Sequence, residues 1–312
     1  MESSGWRRRT GPDPLSTLSG QVVAAFGRQY EVELTGGERL LCFPRGKRSN
    51  LACGDRVHVE RSGDGVGVIK NHLERHSLLY RSDAWKQKLI AANVTQLVLV
   101  VATEPSFSDE LLSRCICAAE SEDIASLIVL NKTDLHNRLA AAREALACFS
   151  SLGYDILELS AHADVEAFRG RLLGHCSVLV GQSGMGKSTL TNALVPEAKA
   201  ATREISESLD SGKHTTTFAR MYRLDKSSQL IDCPGLQTFG LAHLDQGQLL
   251  NSFREFRPFI GTCRFRDCRH DAEPGCALLH AVAAGQIDSR RWAHYRQFRS
   301  ELEEAKRLSQ GW

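Results

Sequence analysis

The sequence predicts an α/β protein in three parts: a P-loop nucleotide-binding domain with its motifs in permuted order, an OB-type β-barrel before it, and a zinc-binding helical domain after it. Three observations support this class: a complete phosphate-binding loop in mid-chain, a guanine-binding tetrapeptide that precedes this loop, and a cluster of cysteines with one histidine near the C terminus. The patterns place a basic tail at 1–17, the barrel at 18–72, the nucleotide-binding domain at 73–245 and the zinc domain at 246–312.

The composition is that of a globular protein: of 312 residues, 42% are apolar and 24% are charged, with a formal net charge of +2. Nucleic-acid binding would therefore have to come from local basic patches. The sequence contains no run of about eighteen apolar residues, so no transmembrane helix is predicted. Arg7, Arg8 and Arg9 are followed by Pro12 rather than by the apolar stretch of a secretory signal, so we expect a disordered basic tail. Ten cysteines without a compact disulfide spacing favour the reducing cytoplasm.

Short alternating strands separated by glycine turns follow the tail. Apolar and acidic residues alternate over 30–34, and Gly36-Gly37 predicts a hairpin turn into the next strand. Five such strands in about fifty residues are typical of an OB-type barrel. The loop from Arg45 to Asn50 carries three cations and is predicted to contact an RNA backbone; a solvated charged loop is the alternative.

A linker is predicted near 72–88, and the nucleotide-binding domain then opens with a buried parallel strand at 95–101. Residues 109–122 carry apolar side chains at helical spacing, which predicts a helix with one face in the core. Cys115 and Cys117 belong to this helix and are predicted to be core residues rather than metal ligands.

A guanine-binding motif, Asn131-Lys132-Thr133-Asp134, follows a buried apolar strand at 127–130, and ligands bind at this end of parallel strands. The Asp134 carboxylate can accept hydrogen bonds from guanine N1–H and N2–H, whereas adenine presents a lone pair at N1. The Lys132 stem can cover the base, and Asn131 can hold the loop through hydrogen bonds to backbone. The motif therefore predicts a preference for guanine.

A second strand, 154–159, supports the same base. It ends at Ser160 and Ala161, where a backbone N–H can meet guanine O6. The two strand ends together favour GTP over ATP as the bound nucleotide.

The phosphate-binding loop is a full GxxxxGKS sequence between a buried strand at 177–180 and a helical pattern. Its backbone N–H groups can surround the β- and γ-phosphates at the positive end of the helix. Lys187 adds a point charge, and the Ser188 hydroxyl is a predicted ligand of Mg2+. The predicted nucleotide-binding residues of this loop are Gly181, Gln182, Ser183, Gly184, Met185, Gly186, Lys187, Ser188 and Thr189.

A third phosphate element, Asp232-Cys233-Pro234-Gly235, follows an apolar strand. In GTPases the aspartate of this motif holds Mg2+ through water and the glycine N–H senses the γ-phosphate. The polar segment 197–217 before it predicts a mobile switch loop, in which Thr215 or Thr216 can complete the Mg2+ shell. A plain β-strand entry is the alternative for at least one of these threonines.

The order of the motifs is permuted relative to ordinary GTPases, which run from the phosphate loop through DxxG to the guanine motif. Here the guanine elements come first, so the domain is predicted to be circularly permuted, which neighbouring termini allow. The chain that leaves Gly235 therefore runs directly into the C-terminal domain. We hypothesise that the γ-phosphate sensor acts on that domain, and different hydrogen exchange after residue 246 with GDP and with a GTP analogue would support this.

A closed set of metal ligands lies beyond this domain, at Cys263, Cys268, His270 and Cys276. Three thiolates and one imidazole complete a tetrahedral shell for one Zn2+ and leave no open position, which predicts a structural rather than a catalytic metal. Reduced cysteines without a metal are the alternative.

Arginines accompany the cysteines and continue into the next helix. Three lie between the predicted ligands: Arg264, Arg266 and Arg269. Four more, Arg290, Arg291, Arg296 and Arg299, alternate with aromatic residues on the helix. The aromatics at that spacing, Trp292, Tyr295 and Phe298, predict a core face against the zinc loop, and the arginines could contact phosphates.

These motifs together resemble the RsgA family (also called YjeQ) of small-ribosomal-subunit biogenesis GTPases. The resemblance rests on the OB-like barrel, on NKTD and SA placed before GQSGMGKST, on GKHTTT and DCPG, and on CRFRDCRHDAEPGC, and it covers about 18–300. It implies a GTPase that is stimulated by the ribosome, binds the small subunit and its rRNA late in assembly, and couples hydrolysis of GTP to GDP with its release.

The resemblance also implies a catalytic histidine. Leu236 occupies the place of the usual water-orienting glutamine, and the histidine before the switch threonines, to which the family assigns this task, is His214. Gln237 is an alternative for the same role, and His214 could instead contact RNA. We expect His214→Ala to lower GTP turnover while nucleotide affinity survives.

Two other functional classes remain open from the sequence. One is a GTP-gated RNA-binding switch with little need for turnover, and the other is a metal-handling GTPase whose cysteines carry zinc as cargo. The complete Cys3His set argues against cargo, which needs an exchangeable site. We expect a cytoplasmic monomer that binds GTP with Mg2+ and one Zn2+, and that binds neither membranes nor DNA.

Overall fold

In the computed structural model of this chain, the described residues are 17–46, 50–82, 87–198, 219–233 and 240–309. Eleven of the strands in these ranges form one continuous sheet. Its two halves are a closed barrel and an open, mostly parallel sheet. Hydrogen bonds between one strand of the barrel and one strand of the open sheet join them. The path of the chain through this sheet decides where the predicted motifs meet.

Five strands build the barrel: β1 (Leu18–Phe26), β2 (Gln29–Leu34), β3 (Arg39–Pro44), β4 (Arg56–Gly63) and β5 (Val66–His72). β1 pairs with both β2 and β4, and β3 pairs with β5 in parallel, which closes the sheet on itself. Alternate residues such as Val32, Leu40 and Val57 fill the interior. The predicted five-stranded OB-type barrel is confirmed, including its hairpin turn at Gly36-Gly37.

The prediction of a linker near 72–88 is wrong in part, because two strands form a hairpin there: β6 (Leu78–Ser82) and β7 (Gln87–Ala92). The hairpin lies against the barrel at Gly54, which has φ +96°. A Cβ at this position would lie 2.1 Å from the Ala92 carbonyl oxygen, so only glycine permits the approach. The strands are short, and their pairing register shifts between Leu79 and Tyr80. Apolar and polar residues therefore alternate too little for the sequence to predict them.

The open sheet carries the nucleotide motifs. Its strands are β8 (Gln96–Ala102), β9 (Ala125–Asn131), β10 (Asp155–Glu158), β11 (Cys176–Val180), β12 (Ala219–Arg223) and β13 (Gln229–Asp232). They lie in the order β10-β9-β8-β11-β13-β12, and all neighbours are parallel except β12, which is antiparallel to β13 and to β1. The predicted buried parallel strand at 95–101 corresponds to β8, every residue of which is buried.

Helices cover both faces of this sheet: α1 (Asp109–Ser121), α2 (Leu139–Ser151), α3 (Glu166–Leu172) and α4 (Lys187–Leu194). A core beneath each face buries their apolar sides. The predicted helix at 109–122 is confirmed as α1, and both Cys115 and Cys117 are buried in the core. Ser108 caps α1, since its hydroxyl accepts a hydrogen bond from the Leu111 N–H.

The C-terminal region is helical: α5 (Gln246–Asn251), a 3-10 helix at Arg254–Phe259, α6 (Ala277–Ala283) and α7 (Ser289–Ser309). The aromatic face predicted for α7 is buried, as expected. One of its arginines contradicts the expectation of a phosphate contact: Arg291 is fully buried and pairs with Glu255. No helix in the described ranges is long and apolar enough to cross a membrane.

The C-terminal region forms several ion pairs with α1, a helix of the nucleotide-binding half. Glu120 of α1 accepts hydrogen bonds from Arg254 (2.7 Å) and Arg257 (2.6 Å). Arg114 of α1 forms an ion pair with Glu301 of α7 at 2.6 Å. Helix α1 is therefore joined by charged contacts to both the 3-10 helix and α7.

Candidate functional site

The predicted motifs meet at one edge of the open sheet. β8, β9, β11 and β13 are adjacent and parallel, so their carboxyl ends lie side by side. The guanine motif follows β9, the phosphate loop follows β11, and Asp232 ends β13. Ligands of α/β proteins bind at this edge, where the chain leaves the strands.

The phosphate loop runs from Gly181 to the first turn of α4. A Cβ on Gly181 would lie 2.2 Å from the Val100 carbonyl oxygen, so the loop leaves β11 in close contact with the neighbouring strand. Gly186 has φ +93°, and a Cβ there would lie 2.2 Å from the Asn131 Nδ2 atom. Two glycines are therefore required by close approach rather than by flexibility alone.

Asn131 joins the guanine motif to the phosphate loop. Its Nδ2 donates a hydrogen bond to the Met185 carbonyl (2.9 Å), and its Oδ1 accepts from the backbone N–H groups of Lys132 (2.8 Å) and Ala161 (3.0 Å). The side chain is buried, so these bonds fix three loops relative to one another. From the sequence, Asn131 was expected to hold only the guanine loop, whereas in the structure it is bonded to three loops.

Asp134 lies at the open side of this edge. Hydrogen bonds from the Ser160 hydroxyl and from its own backbone N–H lower the pKa of its carboxyl below the ordinary value. The group is therefore ionised at neutral pH and exposed to an incoming ligand. An ionised, exposed carboxylate is the acceptor that guanine N1–H and N2–H require.

Lys187 and Asp232 influence each other's ionisation at the phosphate loop. Burial lowers the pKa of the Lys187 ammonium, and the charge of Asp232 opposes the shift. Burial likewise raises the pKa of Asp232, and Lys187 opposes that shift. The Lys187 ammonium also donates to the carbonyls of Gly181 (2.7 Å) and Gln182 (2.8 Å). A positive charge is thus held at the mouth of the loop.

The segment 103–108, which joins β8 to α1, also belongs to this edge and was missed by sequence reasoning. The Lys132 ammonium donates to the Glu104 carbonyl (2.8 Å), and the Ser108 N–H donates to Gln182 Oε1 (2.7 Å). The only feature of this segment that the sequence shows is Ser108 before two acidic residues. That pattern predicts the start of a helix but does not indicate a contact with the phosphate loop.

Several predicted site residues lie outside the described residues, and their placement is not part of the site described above. They are His214, Thr215, Thr216, Gly235 and the alternative water-orienting residue, Gln237.

The predicted metal ligands do come together. The Sγ atoms of Cys263, Cys268 and Cys276 and a ring nitrogen of His270 all lie within 4.8 Å of one another. The Cys263 and Cys276 sulfurs are 4.0 Å apart, and each lies 3.5 Å from His270 Nδ1. Tetrahedral Zn2+ with bonds of about 2.3 Å to sulfur and 2.0–2.1 Å to nitrogen places its ligands about 3.5–3.8 Å apart, so the set fits this metal.

The loop between the ligands, here called the zinc loop (263–276), presents cations outward. Its acidic groups are largely engaged: Glu273 accepts from the N–H groups of Arg269 (2.9 Å) and Asp271 (2.8 Å), and Asp271 pairs with Arg299. Within the described part of the chain, no ion pair involves the three arginines of the loop: Arg264, Arg266 and Arg269. All three side chains are exposed.

An exposed aromatic ring lies among these arginines. Phe265 is 42% exposed, and the Arg264 guanidinium lies 5.5 Å from the centre of its ring. The turn is tight, since Gly275 has φ +78° and a Cβ there would lie 2.9 Å from Arg264 Cβ. The zinc loop thus combines a stacking surface with unpaired positive charge.

Comparison with known proteins gives a consistent result. Residues 72–242 match the family described as RsgA GTPase. The small ribosomal subunit biogenesis GTPase RsgA of Burkholderia pseudomallei (strain K96243) is 53% identical over 293 residues, which cover 92% of this chain and 93% of that protein. The protein of the same name from Ralstonia nicotianae (strain ATCC BAA-1114 / GMI1000) is 52% identical over 309 residues, which cover 96% of this chain and 97% of that protein.

Two solved structures have the same architecture. The crystal structure of YjeQ from Thermotoga maritima superposes with a TM-score of 0.71 at 31% identity, covering 92% of this chain and 99% of that one. The crystal structure of YloQ, a circularly permuted GTPase, superposes with a TM-score of 0.68 at 25% identity, covering 95% and 98%.

Proposed function

Since this chain belongs to the RsgA GTPase family, we propose that its GTPase activity serves the biogenesis of the small ribosomal subunit. Relatives that share half of their residues with it carry this role in their names, and the similarity extends over nearly the whole of both chains. The family membership confirms the resemblance inferred from the motifs and their permuted order. Binding to the subunit late in assembly, with hydrolysis coupled to release, is the specific form of the proposal.

GTP or GDP occupies the groove at the strand ends. Asp134 accepts from guanine, the Lys132 stem covers the base, and the backbone of Ser160 and Ala161 meets guanine O6. The phosphates lie against the loop from Gly181 to Thr189, whose free N–H groups and Lys187 match their negative charge. The support for this placement is that Asn131 holds the base-reading and phosphate-reading loops together in one groove.

Mg2+ accompanies GTP in this proposal. The Ser188 hydroxyl and a switch threonine, Thr215 or Thr216, are its protein ligands, and Asp232 holds it through water. Asp232 fits this role because it is a mostly buried carboxylate beside Lys187, where a second cation would favour its charged form. When bound, the ion neutralises charge on the phosphates, and Gly235 senses the γ-phosphate.

His214 orients the attacking water, with Gln237 as the alternative. An imidazole can accept a hydrogen bond from water, which suits this task. A catalytic group on the switch segment would explain how a ribosomal partner stimulates turnover, because a partner that contacts this segment can position its side chain toward the attacking water.

One Zn2+ is held by Cys263, Cys268, His270 and Cys276 and serves the fold. The donor set is complete and compact, and the Ala277 N–H donates to Cys263 Sγ at 3.3 Å, a contact that stabilises a metal-bound thiolate. No position remains for a substrate, so this metal supplies rigidity to the zinc loop rather than chemistry.

The zinc loop is one face toward rRNA. Its exposed phenyl ring suits stacking on an unpaired base, and its unpaired guanidinium groups suit phosphates. The barrel loop from Arg45 to Asn50 is the second predicted RNA contact. Because the net charge is only +2, binding to RNA depends on local basic patches such as these two loops. DNA and membranes are not proposed as partners.

The protein acts as a cytoplasmic monomer in this proposal. Ten free cysteines, three of them at the zinc site, require a reducing compartment. The barrel at 18–72, the GTPase domain at 73–245 and the zinc domain at 246–312 are proposed as its working parts, after a tail at 1–17.

The observation that carries the proposal is the single groove in which Asn131 joins both nucleotide-reading loops, in a chain half identical to ribosome-assembly GTPases. The experiment is GTP hydrolysis by the purified protein alone, with small ribosomal subunits, and with large subunits as control. Strong stimulation by small subunits only is expected. No stimulation, with GTP still bound, would overturn the ribosomal role and favour a switch that acts on another RNA or protein.

A further inference from the structure

The segment 103–108 contacts both halves of the proposed nucleotide groove, and we call it the brace. On the guanine side, Thr103 Oγ1 donates to the Lys132 carbonyl (2.8 Å), and the Lys132 ammonium donates to the Glu104 carbonyl (2.8 Å). The brace therefore holds both the backbone and the side chain of the residue that covers the base.

On the phosphate side, the brace is bonded through a side chain of the phosphate loop. The Ser108 N–H donates to Gln182 Oε1 at 2.7 Å. Pro105 lies beside Gly184, where a Cβ would be in van der Waals contact at 3.5 Å. The first half of the phosphate loop is thus fixed to the start of α1, whereas Lys187 and Ser188 belong to α4.

The brace is itself rigid. Phe107 packs against the apolar cores on both faces of the sheet, so the segment is anchored at its middle. Its end is fixed because Ser108 caps α1. A rigid segment that contacts two loops can set the distance between them.

The geometry points to Gln182 as a positioning residue for the nucleotide: its side-chain amide sets the spacing between the phosphate loop and the guanine loop through the brace. This inference rests on the proposed nucleotide groove. The side chain of Gln182 contributes no atom to the reaction. Its Oε1 satisfies a backbone donor at the first turn of α1, a place where four N–H groups lack partners within the helix.

The expected effect is mainly on the affinity for nucleotide. Gln182→Met keeps the length and volume of the side chain but removes the oxygen acceptor. The loss of one hydrogen bond to a part-buried donor should raise the Kd of GDP and GTP by about 3- to 10-fold. Intrinsic kcat at saturating GTP is measured alongside, and it should change by a smaller factor than Kd because the Lys187 and Ser188 side chains are kept.

A matched control separates positioning from general loss of stability. Asp245 caps α5 with a reciprocal hydrogen-bond pair, so Asp245→Ala should lower Tm by a similar amount to Gln182→Met. The control should bind GDP with wild-type affinity. Titration of a fluorescent GDP analogue into full-length protein, followed by single-turnover hydrolysis, gives both quantities.

Two results would overturn the inference: wild-type affinity in Gln182→Met, or weakening by the same factor in Asp245→Ala. A fall in kcat with unchanged Kd would also contradict it, since that pattern belongs to a catalytic group. These measurements use no ribosomes. A failure of ribosomal stimulation would therefore count against the proposed function and not against the role of Gln182.

Discussion

Arg291 and Glu255 form an ion pair that is almost completely enclosed in the protein. The Arg291 Nε atom lies 2.7 Å from Glu255 Oε1, and the two residues are 0% and 8% exposed. The guanidinium also lies 4.4 Å from the ring centre of Phe253 and 5.4 Å from that of Phe149. Phe149 belongs to α2, so the pair stands where the C-terminal helices meet the nucleotide-binding half.

Removing one partner of this pair should destabilise the protein strongly. Glu255→Ala leaves a buried arginine without its counter-charge, which costs about 3–5 kcal/mol of unfolding free energy. Urea unfolding of the zinc-loaded protein measures the change. Glu166→Ala is the control, because its ion pair with Arg169 is exposed and should contribute less than about 1 kcal/mol. Equal effects of the two substitutions would contradict the prediction.

Gly186→Ala should abolish nucleotide binding. The position has φ +93°, and the added Cβ would lie 2.2 Å from Asn131 Nδ2, so the alanine must displace the side chain that joins the two loops. Gly170→Ala in α3 is the control: nothing lies within 4 Å of its Cβ position, and alanine in a helix should stabilise by about 0.5–1 kcal/mol. Calorimetric titration with GDP compares the affinities of the two variants. A Kd of Gly186→Ala within about tenfold of the wild-type value would contradict the prediction.

The motif positions could be predicted because each motif depends on a few residues at fixed spacing. The strand before Gly181, the helix after Lys187 and the position of Asn131 at the end of β9 all follow from an apolar run that meets a glycine-rich or polar loop. The metal ligands were predictable for the same reason. In each case the chemistry restricts the residue types, so the sequence carries the signal.

The remaining contacts depend on tertiary approach, which spacing does not encode. Nothing near Gln182 in the sequence indicates that its side chain meets Ser108, 74 residues earlier. The burial of Arg291 was missed because an arginine between aromatics looks the same whether it pairs with a distant glutamate or faces solvent. The pairing of β12 with β1, which joins the barrel to the open sheet, likewise links strands far apart in the chain.

Replacing one metal ligand should release the zinc. Cys268→Ser is expected to reduce bound Zn2+ from one per chain to none, because serine is a poor ligand for this metal. The zinc loop should then lose hydrogen-exchange protection, as should α6, which follows Cys276 directly. Cys148→Ser, at a free thiol of α2, should keep one Zn2+ by elemental analysis. Full metal retention by Cys268→Ser would show that the cluster is not the site.

Phe265→Ala should weaken binding to small-subunit RNA without affecting the nucleotide. Loss of stacking on one unpaired base costs about 1–3 kcal/mol, or roughly 5- to 150-fold in Kd. Leu173→Ala is the control, because it removes an apolar side chain that is also exposed, at 58%, but lies outside the zinc loop. Filter binding of small subunits compares the variants, and equal affinity of Phe265→Ala and wild type would exclude the stacking contact.

His243 should make stability fall in acid. Its ring centre lies 4.1 Å from that of Tyr80, and burial lowers the pKa of the imidazole to about 4. In the unfolded chain the imidazole titrates near 6.5, so below that pH the unfolded state takes up the proton first. The contribution of neutral His243 is therefore present above about pH 6.5 and is lost as the pH falls toward 4. Allowing for its partial exposure, the loss is about 2 kcal/mol.

His243→Phe keeps a ring beside Tyr80 and removes the titrating group. Its unfolding free energy, measured in urea from pH 7.5 to 4.5, should therefore fall less steeply than that of the wild type. Because the zinc ligands and carboxylates titrate alike in both proteins, the difference between the two curves isolates His243, and parallel curves would show that its protonation is not linked to folding.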